Sequence, residues 1–599
     1  MRVVVTLLGL FVARSTCTPS TRHSSNSSLE WHQGTASTLP LLNAETRSSP
    51  CAGNTADNRR QWCEYDIHTD YTSTTPDTGA VREFWFELAQ ADLAPDGRTR
   101  WTLAINGSIP GPTIVVDWGD TVILHLRNSL PSSVSNATSM HFHGLRQLNT
   151  NPMDGVVSIT QCPIAPGQMM TYRWRATQYG TTWYHSHIGL QTWEGVFGGI
   201  IINGPASTNY DEDKGVILLN DWDARTVDEL WDIAQRTGPP TLDNALINGT
   251  NIFGDDGPGR RFQMSFAPGR SYRLRLGNAA CDTHFKFSID HHALTVIAAD
   301  LVPIEPYITN VLDIAIGQRY DVIVHADHAS LASAFWLRAT PQLSCSKNLN
   351  ADNIRGIVRY DTTHSLPNST AHASTDSCTD EDPAHLIPVI SHPLDLTGDN
   401  DPFYNETLPA TLTPTTHSIY RWQLHGTSLQ LNWTQPTLRQ LHNPHTQFHT
   451  TAGLLSVPRA DTWVLIIIET SVPIPHPVHL HGHDFLLVAQ GAGPYAPSPG
   501  QGPLHHAAGA LPKRDTALLP ASGHLVLAFR TDNPGAWLLH CHVGWHLEQG
   551  FAVQVVERED EIRDFFSGRW AREGALLEQN CVDWEVSGMR QGWDNGSGV

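Results

Sequence analysis

From about residue 80 the chain runs as short segments of apolar or alternating residues broken by Gly, Pro and Asn, with few long helical periods. Six are clear: TVILHLR at 121–127, SYRLRLGN at 271–278, LTVIAAD at 294–300, RYDVIVH at 319–325, WVLIIIET at 463–470 and HLVLAFRT at 524–531. A period of two buries one face of a strand, and a short unbroken apolar run suits a strand covered on both faces. Strands at this spacing predict an all-β chain built of sandwiches or barrels.

A weak internal repeat organises these strands. Residues 166–204 read strand, turn, strand with a histidine pair, then a glycine-led apolar strand (PGQMMTYRWR, QYG, TTWYHSH, GVFGGIIING). Residues 523–557 repeat that order as GHLVLAFRT, DNPG, AWLLHCH and GFAVQVVE. The middle third has comparable strands, including GQRYDVIV, but no His-x-His. The pattern predicts three related β domains at 75–205, 206–380 and 385–560, with a Ser/Thr/Asp-rich linker at about 365–385. Past residue 558, EDEIRDFFSGRWAREG predicts a helical stretch, and 561–599 forms a C-terminal tail.

The N-terminus adds an address. Met1 and Arg2 precede the apolar run VVVTLLGLFVA at 3–13, the layout of a signal peptide over about residues 1–20, too short to span a bilayer. A leader and N-terminal extension follow at 21–74, Ser/Thr/Asn-rich to about residue 50 and expected to be disordered there. No later apolar run approaches a membrane span, so the expectation is a secreted, extracellular protein without a membrane partner. Eight Asn-x-Ser/Thr sequons, at Asn26, Asn106, Asn136, Asn248, Asn368, Asn405, Asn432 and Asn595, fit that export route. A formal charge of -21, from 59 acidic against 38 basic residues, argues against a nucleic-acid partner. Of nine cysteines, Cys17 lies in or beside the signal and Cys541 in a histidine-rich motif. The other seven predict three bridges and one left-over thiol in an oxidising compartment.

Histidine carries the chemistry. With 32 His in 599 residues, a His-x-His triplet is expected by chance about once or twice. The chain has five. They fall in four clusters: MHFHG at 140–144, WYHSH at 183–187, HPVHLHGH at 476–483 and HCHVGWH at 540–546. On a strand, His-x-His puts both imidazoles on one face, so strand pairs from two domains can enclose metals between them. A structural zinc site wants four ligands, commonly Cys-x-x-Cys pairs, and none is present. One Cys with two His is the ligand set of a blue-copper site, for which Cys541, His546 and an isolated histidine such as His476 are candidates. Eight histidines then remain in four pairs: His141 with His143, His185 with His187, His479 with His481, and His540 with His542. Eight imidazoles match a three-copper cluster at two or three ligands per metal.

These four clusters, in order and spacing, resemble those of the multicopper oxidases, and the chain is most similar to fungal, ascomycete-type laccases. LNTNPMDGV, TQCPIAPG, QYGTTWYHSH, LINGTN and IAADLVPI extend the likeness over nearly the whole chain. The resemblance implies three consecutive cupredoxin-like Greek-key β domains and four coppers per chain. His476, Cys541 and His546 would bind a type 1 copper, and His141 and His479 a type 2 copper. His143, His185, His187, His481, His540 and His542 would bind the type 3 pair. A phenol would give single electrons at type 1, and dioxygen would be reduced to two waters at the cluster, in a monomer. Phe551, where some family members carry a Met ligand, would leave type 1 without an axial donor and raise its potential. Asp282, in AACDTHF, matches the carboxylate that takes the phenolic proton, and Asp154, in MDGV, the acid that assists protonation of reduced oxygen. The bridges implied are Cys51–Cys63, Cys162–Cys581 and Cys345–Cys378, leaving Cys281 as a buried thiol. His291, His292, His442, His445, His449, His505 and His506 match no ligand motif and are expected on the surface or in loops, with His483 behind the ligands. The C-terminal NGSGV only partly resembles the family's C-terminal plug. Alternatives are a ferroxidase-like metallo-oxidase and a copper-binding protein without turnover.

Overall fold

The computed structural model of the chain describes residues 51–589 and 596–599, apart from 133–135, 255, 363–364, 395–403, 416–417, 444 and 497–509. The signal peptide, the leader to residue 50, the sequons at Asn26 and Asn595, Cys17, His505 and His506 lie outside the described residues. All six segments above form strands, among them Thr121–Asn128, Arg319–His325 and Trp463–Thr470. Thr121–Asn128 alternates between buried and partly exposed positions, whereas the interior of Trp463–Thr470 is buried on both faces.

The large sheets fall into three consecutive blocks. In the last block a six-stranded sheet runs Tyr420–Leu424, Tyr404–Pro414, Trp463–Thr470, Gly523–Arg530, Phe485–Ala492, Lys513–Arg514. Its companion of five strands runs Leu454–Val457, Ala552–Glu557, Gly535–Cys541, His476–Leu480, Thr516–Leu519. The middle block has the same two sheets: in the larger, Glu212–Trp222 is again parallel to Ser271–Asn278 and antiparallel to Asn244–Ile247. The first block, from Val81–Leu93 to Phe197–Asn203, is an abridged version with two sheets of four strands. Parallel neighbours that are not consecutive in sequence, such as Tyr404–Pro414 and Trp463–Thr470, give the crossed connections of a Greek key. The repeat noted at 166–204 and 523–557 becomes two equivalent antiparallel pairs, Gly180–His185 with Phe197–Asn203 and Gly535–Cys541 with Ala552–Glu557.

Two helices, Glu559–Ser567 and Ala571–Val586, follow the last strand, and Trp570, Leu577, Cys581 and Trp584 are buried against residues of the first and last blocks. Trp570 Nε1 donates to the Asn149 carbonyl at 2.6 Å, and a disulfide joins Cys581 to Cys162. Cys51–Cys63 and Cys345–Cys378 are the other bridges, and Cys281 is a buried free thiol. One helix outside the sequence expectation, Val227–Thr237, starts at a capping box made by Thr226 and Glu229 and buries Val227, Leu230, Trp231 and Ala234. No helix among the described residues is long and apolar enough to cross a membrane.

Candidate metal centre

Strand register brings the histidine pairs together. His141–Phe142 lies antiparallel to Gly180–His185 with His141 opposite His185, and His476–Leu480 lies antiparallel to Gly535–Cys541 with His479 opposite His540. His143, His187, His481 and His542 sit one or two residues beyond the ends of these strands. Each pair therefore straddles a strand end, where the chain turns and both rings can reach the same side. The His141 ring stacks on His481 at 4.1 Å and His143 on His479 at 3.9 Å, joining the first block to the last. His481 Nε2 is 3.2 Å from His540 Nε2, and His143 Nδ1 is 3.2 Å from His542 Nε2.

Alternation along Gly535–Cys541 sends the thiol of Cys541 to the face opposite its two neighbours. There Cys541 Sγ lies 3.7 Å from His476 Nδ1 and 3.6 Å from His546 Nδ1, with the two nitrogens 3.2 Å apart. Phe551 closes this trio without adding a ligand atom. Its carbonyl accepts from Cys541 N at 3.1 Å, its N–H donates to His546 O at 3.0 Å, and its ring is 4.9 Å from His476 and 5.1 Å from Trp422.

The electrostatics favour neutral imidazoles. Burial pushes His143, His185, His187, His476, His481, His540 and His542 well below the usual histidine value, and His546 to about 3. Charge on neighbouring rings adds to the effect at all of these but His546. Burial also pushes the Cys541 thiol well up. Nε2 of His141, His185, His187 and His479 is buried without a hydrogen-bond partner, an arrangement native proteins rarely leave unfilled. Neutral nitrogens converging on one another are the state in which imidazole binds a transition metal, and the Cys–His–His trio is the soft set that suits copper. Groups of three within ligand distance include His141–His479–His481, His187–His481–His540 and His476–Cys541–His546.

Behind the ligands stand carboxylates. Asp154 Oδ2 is 2.9 Å from His481 Nδ1, and its carbonyl is 2.8 Å from His141 Nδ1. Asp515, which sequence reasoning passed over, lies 3.3 Å from His143 Nε2 through Oδ1, and its carbonyl is 2.8 Å from His479 Nδ1. Burial raises the Asp515 carboxyl, but the Arg319 guanidinium together with hydrogen bonding from His143 and His479 holds it well below the carboxylate range. The only advance signal was a KRD triplet entering an apolar strand. Asp221 was missed as well: its carboxylate accepts from the N–H groups of Cys281 and Asp282, both at 2.9 Å, and of Thr283, so it shapes the loop that carries Asp282. Burial, with the Asp221 charge adding, raises the Asp282 carboxyl well above its ordinary value, and Asp282 Oδ2 has no partner. The same loop is tied to the copper motif by Gly544 N–H, which donates to Cys281 O at 2.9 Å.

Among the remaining histidines, His442, His445 and His449 sit in the loops around 442–449, and His291 is exposed. His292 departs from expectation: it is 1 % exposed, because Asp290 O and Tyr360 OH, each at 2.8 Å, satisfy both ring nitrogens inside the middle block. His483 bridges Glu557 at 2.8 Å and the His481 carbonyl at 3.2 Å. Ser597 and Val599 are buried, their carbonyls accepting from Leu431 N and Gly189 N, both at 2.9 Å.

Eight converging imidazoles beside a Cys–His–His trio, on cupredoxin-like β blocks, define a copper-binding oxidoreductase. Three family models described as multicopper oxidase match residues 87–207, 213–363 and 415–561. The chain belongs to the multicopper oxidase family. It is 43% identical to Laccase-2 of Botryotinia fuckeliana over 561 residues, covering 91% of this chain and 93% of that relative. The crystal structure of laccase from Botrytis aclada superposes with a TM-score of 0.84 at 42% identity, over 91% of this chain and 100% of that one. Fet3p, a multicopper oxidase that functions in iron import, superposes at 0.73 with 27% identity over 84% and 95% of the two chains.

Proposed function

We propose that the chain is a secreted laccase taking single electrons from small phenols, with four coppers. His476, Cys541 and His546 hold type 1, His141 and His479 hold type 2, and His143, His185, His187, His481, His540 and His542 hold the type 3 pair. The bound coppers supply the redox chemistry, in which four one-electron oxidations are matched to reduction of one dioxygen to two waters. Cys541 is joined by peptide bonds to His540 and His542, giving a short covalent route between the two sites. Asp282 is the proton acceptor for the phenol, and Asp154 orients His141 and His481 and assists protonation at the cluster.

The observation that carries the phenol reading is Asp282, a buried carboxyl with a free oxygen, on the loop whose Cys281 carbonyl accepts from Gly544 N–H just past Cys541. A proton acceptor next to the electron acceptor lets a phenol lose both without passing through a radical cation. The likeness to Fet3p keeps a metallo-oxidase as the second reading. Oxygen uptake with a panel of phenols, run beside ferrous ion, separates the two. A clear preference for ferrous ion would reject the phenol reading, and active protein with clearly fewer than four coppers would reject the site assignment.

A further inference from the structure

The middle block holds none of the proposed ligands, yet it reaches the support of the cluster through Arg319. Arg319, wholly buried on strand Arg319–His325, grips both oxygens of Asp515: Nη1 to Oδ1 at 2.7 Å and Nη2 to Oδ2 at 2.5 Å. Its guanidinium is fixed from behind, since Nη1 also donates to Gly317 O at 3.0 Å and Nε to Thr181 O at 3.4 Å. Asp300 takes the Arg319 N–H at 3.0 Å and the Asp515 N–H at 3.3 Å, so backbone as well as side chains are locked together. Asp515 then meets two imidazoles from different blocks: His143 of the first, through Oδ1, and His479 of the last, through its carbonyl. Thr516 Oγ1 completes the cradle, donating to Asp515 Oδ1 at 2.9 Å and lying 3.3 Å from His143 Nε2.

Two glycines make room for this arrangement. A side chain at Gly144, in the first histidine motif, would collide with both the Asp515 carboxylate and the Arg319 guanidinium. A Cβ at Gly317 would come within 3.2 Å of the rings of His542 and His143, and the backbone there has φ +87.

Resting on the ligand assignment above, we infer that Arg319 is a positioning residue for the copper cluster. By clamping Asp515 it sets the orientation of His479, a type 2 ligand, and of His143, a type 3 ligand, and so couples the middle domain to copper retention at the cluster, read most directly at type 2. A planar two-pronged guanidinium fixes the carboxylate plane in a way a single ammonium cannot. Loss of a partner behind a metal ligand typically weakens metal binding ~10–100-fold. The His476–Cys541–His546 trio is not in contact with Asp515 and should be spared.

The test uses purified, copper-loaded full chain: wild type, Arg319→Gln, Arg319→Lys, and Arg273→Gln as a control. Arg273 forms an equally buried pair with Asp321, in the same block but touching no cluster histidine. Copper per chain and the type 2 electron paramagnetic resonance signal are followed during dialysis against a graded chelator, with blue absorbance as an internal standard and the melting temperature of copper-free protein as a fold check. Arg319→Gln should lose type 2 copper at ~10–100-fold lower chelator strength while keeping its blue band, Arg319→Lys should fall between, and Arg273→Gln should match wild type. Should Arg319→Gln not fold, Arg319→Lys decides by the same measure. Wild-type retention and an unchanged signal in folded Arg319 variants overturn the inference, as does equal loss in Arg273→Gln. A wild type without type 2 copper instead overturns the ligand assignment beneath it.

Discussion

Replacing Asp154 by Asn changes the cluster's support while conserving its shape. In the native site Asp154 presents two acceptors to two imidazoles, Oδ2 to His481 Nδ1 at 2.9 Å and the carbonyl to His141 Nδ1 at 2.8 Å, while Oδ1 lies 3.2 Å from the same His141 nitrogen without a hydrogen bond of its own. Asparagine keeps only one side-chain acceptor and puts an NH2 in the other place. If the amide oxygen faces His481, the NH2 confronts the His141 N–H; if it faces His141, the His481 N–H loses its acceptor. The residue is fully buried, so water is poorly placed to repair either arrangement. A lost hydrogen bond to a charged group costs about 1.5–3 kcal/mol, which corresponds to a ~10–150-fold slower step if the loss falls on the transition state. The expected signature is a split between half-reactions. Anaerobic bleaching of the blue absorbance by a phenol should proceed at the wild-type rate, because Asp154 does not touch the Cys541 trio. Recovery of the blue colour on admitting oxygen should slow ~10–150-fold, and steady-state oxygen uptake at saturating phenol should fall with it. Recovery within twofold of wild type, at equal copper content, would refute the role given to Asp154; slowing of both half-reactions alike would point to general disruption.

Phe551→Met should lower the type 1 potential by offering a thioether where a phenyl ring now packs, at a stability change below ~1.5 kcal/mol for a near volume-conserving swap; redox titration of the blue band checks it, and an unchanged potential sinks the axial argument. Asp282→Asn should depress oxidation of phenols while sparing donors that lose no proton, and should abolish the part of the phenol rate that rises with pH as this carboxyl ionises. The sign for stability follows from the same raised value: the native state holds the Asp282 proton more tightly than the unfolded chain, so its contribution is present below the ordinary carboxyl value of 3.8 and is lost as pH rises through the native one. Asp282→Asn should therefore flatten that fall in thermal-unfolding scans, and an unaltered pH profile of both rate and stability would contradict the burial argument. Replacing both Cys162 and Cys581 by Ser opens a bridge between residues 419 apart, for which chain entropy sets a ceiling of about 6 kcal/mol and typical losses are ~2–4 kcal/mol; a melting temperature equal to that of wild type would deny the tail its anchoring role.

What could be read along the chain and what could not divide by physical range. Strand periodicity and His-x-His spacing are local, so Thr121–Asn128, Gly523–Arg530 and the clustered imidazoles were visible as residues met in order. Arg319 and Asp515 are 196 positions apart, and neither carries a spacing signal, so their meeting is a product of how the middle and last blocks pack. His292 lies in the turn between Phe285–Ile289 and Leu294–Ala299, but its burial is not legible in a polar histidine doublet: only the fold supplies the Asp290 carbonyl and the Tyr360 hydroxyl that satisfy its ring. The three related β domains were legible from comparable strands, but the middle one has no histidine pairs, so its match to the last block in strand order and in parallel and antiparallel pairings emerges only from the fold. That equivalence changes how the middle block is to be understood. A third β unit with the shared topology but no imidazoles still places Gly317 against His143 and His542 and Arg319 against Asp515, at the same junction where the outer blocks place their rings. The last block already supports His479 through the Asp515 carbonyl and lies against His143 through Thr516 Oγ1. A buried arginine held by its own block adds a clamp on the Asp515 carboxylate behind both rings, and through that clamp a domain without a metal ligand bears on how tightly metal is held.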